Sequence, residues 1–169
     1  SSFRSCSSLT NINIPEGVTS IGNSAFSFCN SLNYNEYDNA YYLGNENNPY
    51  LALIKAKDTS VESCSINENT KFIMSSAFEQ CSLLTSITIP DGVASIGSWI
   101  FAKCSSLKSI TLPDSVTSIE SYAFYYCTSL TSIALPDSIK NIEMWAFADC
   151  SALTSIILPD GVTSIGLGA

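Results

Sequence analysis

Residues 104–126 read CSSLKSITLPDSVTSIESYAFYY, and residues 127–149 read CTSLTSIALPDSIKNIEMWAFAD. The two stretches align column by column with a step of 23 residues. The step recurs along the chain and sets a column of cysteines: Cys6, Cys29, Cys81, Cys104, Cys127 and Cys150. Self-similarity at a period of this length is typical of a repeat protein in which each unit stacks on the next.

The columns of the repeat follow from simple physical chemistry. Ile110 and Leu112 alternate with small polar residues, which predicts a short strand with these two side chains turned inward. Pro113 has no N–H group and ends the strand, and the Asp after it favours a turn. Val116 and Ile119 are predicted to bring the chain back inward on the opposite side. One unit alone cannot bury this much apolar surface, so the units must stack.

The Ala-Phe segment before each cysteine predicts a single helical turn, because Phe124 and Cys127 are spaced to share one helix face. The predicted fold is therefore α/β, a right-handed solenoid of about six rungs with short parallel strands and single helical turns. We expect one repeat domain over residues 1–169, a fragment of a larger protein. Ends that lack a capping repeat would then allow self-association.

The repeat is interrupted between residues 33 and 60. Two apolar runs flank a Gly/Asn/Pro-rich loop here, which predicts a projecting β-hairpin insertion. After the insertion Val61, Cys64 and Ile66 take up the inward columns again, so Cys64 is interpreted as a core residue in the place of an isoleucine.

These columns resemble the leucine-rich repeat superfamily, and most closely its BspA-like branch, whose signature is LxxIxIPxxVxxIGxxAFxxC. The matching stretches are residues 9–29, 84–104, 107–127 and 130–150, with a partial copy over 153–166. The resemblance implies a cell-surface or secreted protein of a bacterium or protozoan. It also implies contact with host matrix proteins, other cells or mucosal surfaces, as an analogy at the level of the fold.

The column before Ala-Phe is the first candidate contact surface. It holds Ser24 and Ser76 in two copies but Trp99, Tyr122 and Trp145 in the last three full copies. Stacked rungs would align these rings about 5 Å apart, and an exposed aromatic strip is a candidate site for protein or sugar. The neighbouring Tyr125 and Tyr126 join the candidates. The alternative is that the rings pack on one another and on adjacent turns.

The insertion supplies a second group of candidates. Five of the eight tyrosines lie in it, and Tyr41, Tyr42 and Tyr50 flank the predicted hairpin loop. Tyrosine suits recognition because it offers a large contact area with few rotatable bonds. The alternative is that these rings form the small core that a hairpin needs.

Two further columns are predicted to be structural. The acidic column after the proline position could in principle bind Ca²⁺, but aspartate also favours this turn, and no Ca²⁺ loop signature occurs, so no metal site is predicted. Its members are Glu16, Glu68, Asp91, Asp114, Asp137 and Asp160. The stacked cysteines are predicted to be buried free thiols, because an odd total of seven argues against a complete disulfide framework.

The composition of the chain and the sequence motifs that it lacks argue against several classes of function. A net charge of −8 disfavours nucleic-acid binding, and no apolar run is long enough for membrane insertion. The chain has no histidine, which excludes Ser-His and Cys-His nucleophile systems, and it lacks nucleotide-binding and zincin motifs. We therefore predict no enzymatic activity and no cofactor.

Two functional hypotheses remain. In the first, the chain is an extracellular, adhesin-type module that binds a host or neighbouring-cell surface protein or glycan. In the second, it is a structural spacer solenoid that projects other domains from the cell surface. A small, uncharged, hydroxyl-rich strand face fits a flat contact surface but does not indicate which ligand would bind.

Overall fold

The computed structural model describes residues 2–169 as a β-solenoid of about five turns. Its strands are short and follow the chain in this order: β1 (Asn35–Tyr37), β2 (Ala40–Leu43), β3 (Ala52–Ala56), β4 (Ser63–Ser65), β5 (Phe72–Ile73), β6 (Ser86–Thr88), β7 (Ser95–Ile96), β8 (Ser109–Thr111), β9 (Ser118–Ile119), β10 (Ser132–Ala134), β11 (Asn141–Ile142) and β12 (Ser164–Ile165). None of the described residues forms a helix long and apolar enough to cross a membrane.

One wall of the solenoid is built from the Ile-x-[IL]-Pro segments, as the alternation predicts. Strand β4 pairs in parallel with β6, and β8 pairs in parallel with β10, each in the register of the repeat. Cys64 lies opposite Ile87 and is buried, which confirms its place in an isoleucine column. The residues on either side of each inward side chain are serine, threonine or alanine and face solvent.

The opposite wall is built from the Val-x-x-Ile segments. Strands β7, β9, β11 and β12 form one parallel sheet in which the isoleucines are in register. Between the two walls lies a continuous apolar core. Phe78, Phe101 and Phe124 are fully buried in it, with neighbouring ring centroids 5.7 and 5.4 Å apart.

The Ala-Phe segments are not helical, and no α-helix occurs anywhere in residues 2–169, so this part of the prediction is wrong. Alternate N–H groups of the turn donate hydrogen bonds to the next rung. The Tyr122 N–H donates to the Met144 carbonyl, and the Phe124 N–H donates to the Ala146 carbonyl. The N–H groups between them donate three residues back, as from Ala123 to the Glu120 carbonyl. A helix would need all of these donors for bonds four residues back.

A left-handed backbone conformation recurs twice in each of these turns. The residue before Ala-Phe and the residue before the cysteine both have φ close to +60°, as at Tyr122 and Tyr126, with φ 60° each. Such φ values are unfavourable for residues other than glycine and seldom persist in helices. The spacing of Phe124 and Cys127 fits a helix and this turn equally well, which is why the sequence pattern misled.

The cysteines form a column of thiols, each bonded to the rung before it. Cys104 donates to the Phe78 carbonyl and Cys127 to the Phe101 carbonyl, both at 3.1 Å. All seven cysteines are free, and only Cys6 is exposed. Burial raises the pKa of Cys64 and of Cys81 to about 11, because a thiolate is poorly solvated there.

The insertion is a hairpin, but it does not project. Strand β2 pairs antiparallel with β1 and with β3, and β3 pairs in parallel with β5, so the hairpin is built into the wall of the solenoid. Tyr42, Leu51 and Leu53 are fully buried as a result. The reason is that β3 begins with the buried Ala52 and Leu53, whose side chains lie on opposite faces, and these two residues pair with β5 as a regular rung segment would.

Thiol reactivity tests this arrangement. The native protein is expected to expose one reactive thiol, Cys6, to a thiol-specific chromogenic reagent at pH 8, and all seven after denaturation. Buried thiols with raised pKa values react slowly because the thiolate is the nucleophile. The variant Cys6→Ser provides the control and should show no fast reaction. Fast labelling of several thiols in native Cys6→Ser would contradict the buried column.

The left-handed turn positions give a second test with a matched pair of exposed lysines. Lys103 has φ 64°, whereas Lys108 lies beside β8 without a positive φ. Glycine relieves left-handed strain of about 1–2 kcal/mol but costs about 0.5–1 kcal/mol in chain entropy. Lys103→Gly should therefore be neutral or stabilising, and Lys108→Gly destabilising, in the free energy of unfolding measured with urea. Equal effects would argue against the turn geometry.

Candidate functional site

Three aromatic residues on successive rungs form a stack, here called the aromatic ladder (Trp99, Tyr122 and Trp145). The Trp99 and Tyr122 ring centroids are 4.1 Å apart with planes at 10°, and Tyr122 and Trp145 are 6.4 Å apart at 8°. Tyr125 meets the Trp99 and Tyr122 rings edge-on, at 5.9 and 5.8 Å. The ladder is thus an ordered surface held by offset and edge-to-face contacts.

The ladder offers mainly ring edges, because two of its three rings have neighbours on both faces. Tyr122 lies between two other rings, and a side chain at Gly168 would come within 3.0 Å of the Trp145 indole. Trp99 and Tyr122 are half-buried, while Trp145 is 38% and Tyr126 is 49% exposed. What remains accessible is a strip of aromatic edges that presents polar atoms as well as apolar carbon.

The fold does not require aromatic rings in this column. Ser24 and Ser76 hold the same position with φ 62° and 61°, close to the 60° of Trp99. Gly168 holds it on the last rung, with φ 66°. Since a small residue satisfies the backbone at the other rungs, the rings add a surface rather than a structural requirement.

The tyrosines of the insertion differ in burial. Tyr42 is fully buried, and its hydroxyl accepts a hydrogen bond from the Asn67 N–H at 3.4 Å. Burial raises its pKa well above the usual range. Tyr42 is therefore a core residue and not a contact candidate, because β2 lies inside the wall. Tyr41 and Tyr50 are half-buried.

The acidic column lies along the exposed turns of the solenoid. Asp91, Asp114 and Asp137 are all exposed to solvent. Within residues 2–169, no three Cys, Asp or Glu side chains converge in a way that could hold a metal ion. The geometry is that of solvated turn residues.

A groove of about 1050 Å³ lies where the insertion leaves the regular ladder, and sequence reasoning did not identify it. Its lining comes from three segments: Asn11, Ile12, Asn13, Pro15 and Glu16; then Asn33, Tyr34 and Asn35; then Leu43, Gly44, Asn45, Glu46, Asn47 and Pro49. We call it the asparagine cup. It has two carboxylates and no lysine or arginine in its lining.

Side-chain amides tie the three segments of the cup together. Asn33 donates to the Asn11 side-chain oxygen at 3.3 Å, and Asn35 donates to the Pro49 carbonyl at 3.0 Å. Asn45 donates to the Ile14 carbonyl at 2.8 Å. The Asn45 side-chain oxygen also accepts the N–H groups of residues 47 and 48, both at 2.9 Å.

A signal for the cup is present in the sequence. Asparagines stand two residues apart on each of its three segments, at positions 11 and 13, 33 and 35, and 45 and 47. Residues two apart share one face of an extended chain. The pattern could have indicated an amide-bearing face on each of the first two segments. The third segment is a turn, in which the Asn45 side chain accepts the Asn47 N–H, and only the path of the hairpin brings it to the other two.

Comparison with solved structures points to leucine-rich repeat proteins of bacteria. A leucine-rich repeat protein from Bacteroides ovatus is 29% identical with a TM-score of 0.66, over 97% of this chain and 41% of that one. A leucine-rich cell-surface protein from Faecalibacterium prausnitzii is 29% identical with a TM-score of 0.65, over 95% and 48%. The leucine-rich repeat protein of T. pallidum is 28% identical with a TM-score of 0.64, over 69% and 56%.

The chain thus spans about half the length of the solved structures it resembles. No curated protein matches it. The model of the BspA type leucine-rich repeat region matches six copies over residues 1–46 and 56–169, that is, nearly the whole chain outside part of the insertion. This protein belongs to the BspA-type leucine-rich repeat family.

Proposed function

We propose that this chain is an extracellular, adhesin-type module that binds a surface protein or glycan through the aromatic ladder. One observation supports the proposal: Trp99, Tyr122 and Trp145 occupy a column that holds serine in other repeats, where the backbone accepts a small residue. Contiguous exposed aromatic surface is unusual on a soluble protein and marks interaction sites.

The chemistry of the ladder suits a binding role. Tryptophan and tyrosine dominate the energetic centres of protein interfaces, and they lose little conformational entropy on binding because they have few rotatable bonds. Stacking fixes Trp99, Tyr122 and Trp145 before any partner arrives, which lowers the cost of association. Tyr125 and Tyr126 extend the surface to one side.

An extracellular location is supported by the family and by the Faecalibacterium prausnitzii structure, which is described as a cell-surface protein. The partner in this proposal is a protein or glycan of a host or of a neighbouring cell. The role is binding rather than catalysis.

The alternative is a spacer role, in which the solenoid only projects other domains. The observation that favours it is the mutual packing of the ladder rings, since 4.1 Å between the Trp99 and Tyr122 centroids also stabilises the stack of rungs. A spacer needs no partner for this segment. Binding and stability measurements on one set of variants separate the two roles.

The test replaces the ladder by the residue that other rungs hold in the same column. The triple variant Trp99→Ser, Tyr122→Ser, Trp145→Ser should bind immobilised extracellular-matrix proteins or mucin glycans at least about thirtyfold more weakly than the native chain. Surface plasmon resonance measures this loss. Circular dichroism and urea unfolding check that the variant remains folded.

Phe28→Ser is the matched control, because it removes a 61% exposed ring outside the ladder. It should leave binding unchanged. A folded triple variant that binds like the native chain would exclude the ladder as the contact surface. Absence of binding by the native chain across the panel would favour the spacer.

A further inference from the structure

We infer that the asparagine cup is a binding site for an uncharged saccharide, separate from the aromatic ladder and independent of the function proposed for it. The cup holds amide and carboxylate side chains around a volume of about 1050 Å³, at the upper end of small-ligand sites. Three properties identify the ligand class: the shape of the cup, its hydrogen-bonding groups and its charge.

The shape of the cup excludes an extended peptide that passes through it. The backbone edge of the first segment is hydrogen-bonded at both ends of the cup, where the Asn33 N–H donates to the Thr10 carbonyl and the Ile14 N–H donates to the Gly44 carbonyl, each at 2.9 Å. The free stretch between these bonds spans roughly 13 Å of extended chain. A peptide strand added along this edge would collide with both ends. A compact ligand fits between them.

The hydrogen-bonding groups suit a polyhydroxyl compound. Within residues 2–169, the N–H and C=O groups of Ile12 have no hydrogen-bond partner, although they point to the same side as the bonded Thr10 carbonyl and Ile14 N–H. The side-chain amides of Asn13 and Asn47 have no hydrogen-bond partner either. Each amide presents both donors and an acceptor. A sugar hydroxyl also donates and accepts, so neighbouring hydroxyls of one ring can be matched from two sides of the cup.

The charge of the cup selects an uncharged ligand. Glu16 and Glu46 accept hydrogen bonds from hydroxyl groups and repel anions, and no lysine or arginine lines the cup. Ile12, Tyr34 and Pro49 give apolar walls against which the carbon face of a sugar ring can lie. Burial raises the pKa of Tyr34, so its hydroxyl stays protonated and able to donate.

The cup is also organised in advance. Its three segments are held by the amides of Asn33, Asn35 and Asn45, which make their bonds within the protein. Asn13 and Asn47 remain for the ligand, and both are exposed. Because the bonded amides already hold the cup in shape, less conformational entropy is lost when a small polar ligand binds to the other two amides.

The experiment titrates the ¹⁵N-labelled chain with lactose, maltotriose, N,N′-diacetylchitobiose and mannobiose, and with 3′-sialyllactose as the anionic counterpart of lactose. At least one neutral saccharide should shift the side-chain amide resonances of Asn13 and Asn47. Asn13→Asp and Asn47→Asp keep the side-chain size and lose the donors, so each should weaken binding roughly tenfold. If lactose binds, 3′-sialyllactose should bind more weakly.

Asn69→Asp is the matched control, an exposed position outside the cup, and should bind like the native chain. The triple serine variant of the ladder should also keep saccharide binding, which separates this site from the proposed adhesin surface. No shift with any neutral saccharide would overturn the inference. So would binding unaffected by Asn13→Asp and Asn47→Asp, or shifts produced by an uncharged octapeptide instead of a saccharide.

Discussion

Backbone hydrogen bonds from the Ala-Phe turns to the next rung hold the rungs of this solenoid together, and the rest of the fold depends on these bonds. Tyr122, Phe124 and Tyr126 each donate an N–H to the next rung, and the N–H groups between them close four-residue turns by donating three residues back. Alternation of this kind requires a left-handed residue at two positions of every turn. The bonds hold the stack in a register of 23 residues, and the buried phenylalanine rings and cysteine thiols fill the space beneath them.

The repeat period alone predicts both walls of the solenoid, because inward side chains at Ile110 and Ile119 have no other way to be buried. It even predicts Cys64 as a core residue. The period cannot predict the conformation of the Ala-Phe turn, since Phe124 and Cys127 share a face in a helix and in the observed turn alike. Alternate N–H groups of the turn donate to carbonyls of the neighbouring rung, and the sequence of a single repeat does not indicate these bonds.

The candidate sites were predictable to different degrees for the same reason. The ladder follows from the repeat itself, because a fixed step places Trp99 beside Tyr122. Tyr42 could not be assigned from the sequence, since its burial depends on β3 pairing with β5. The cup depends on the path of the hairpin, which carries Asn45 back to the carbonyl of Ile14 across 31 residues.

Regular repetition and its interruption therefore produce two kinds of surface. Stacked rungs give the ladder, an extended strip whose rings cover one another's faces and leave mainly their edges accessible along the solenoid axis. A strip of this shape suits a macromolecular surface. The insertion separates two segments that would otherwise pair, and it leaves the backbone groups of Ile12 without partners. Unpaired polar groups in a concave surface suit a small polar ligand, because several of them can bond to one molecule at the same time.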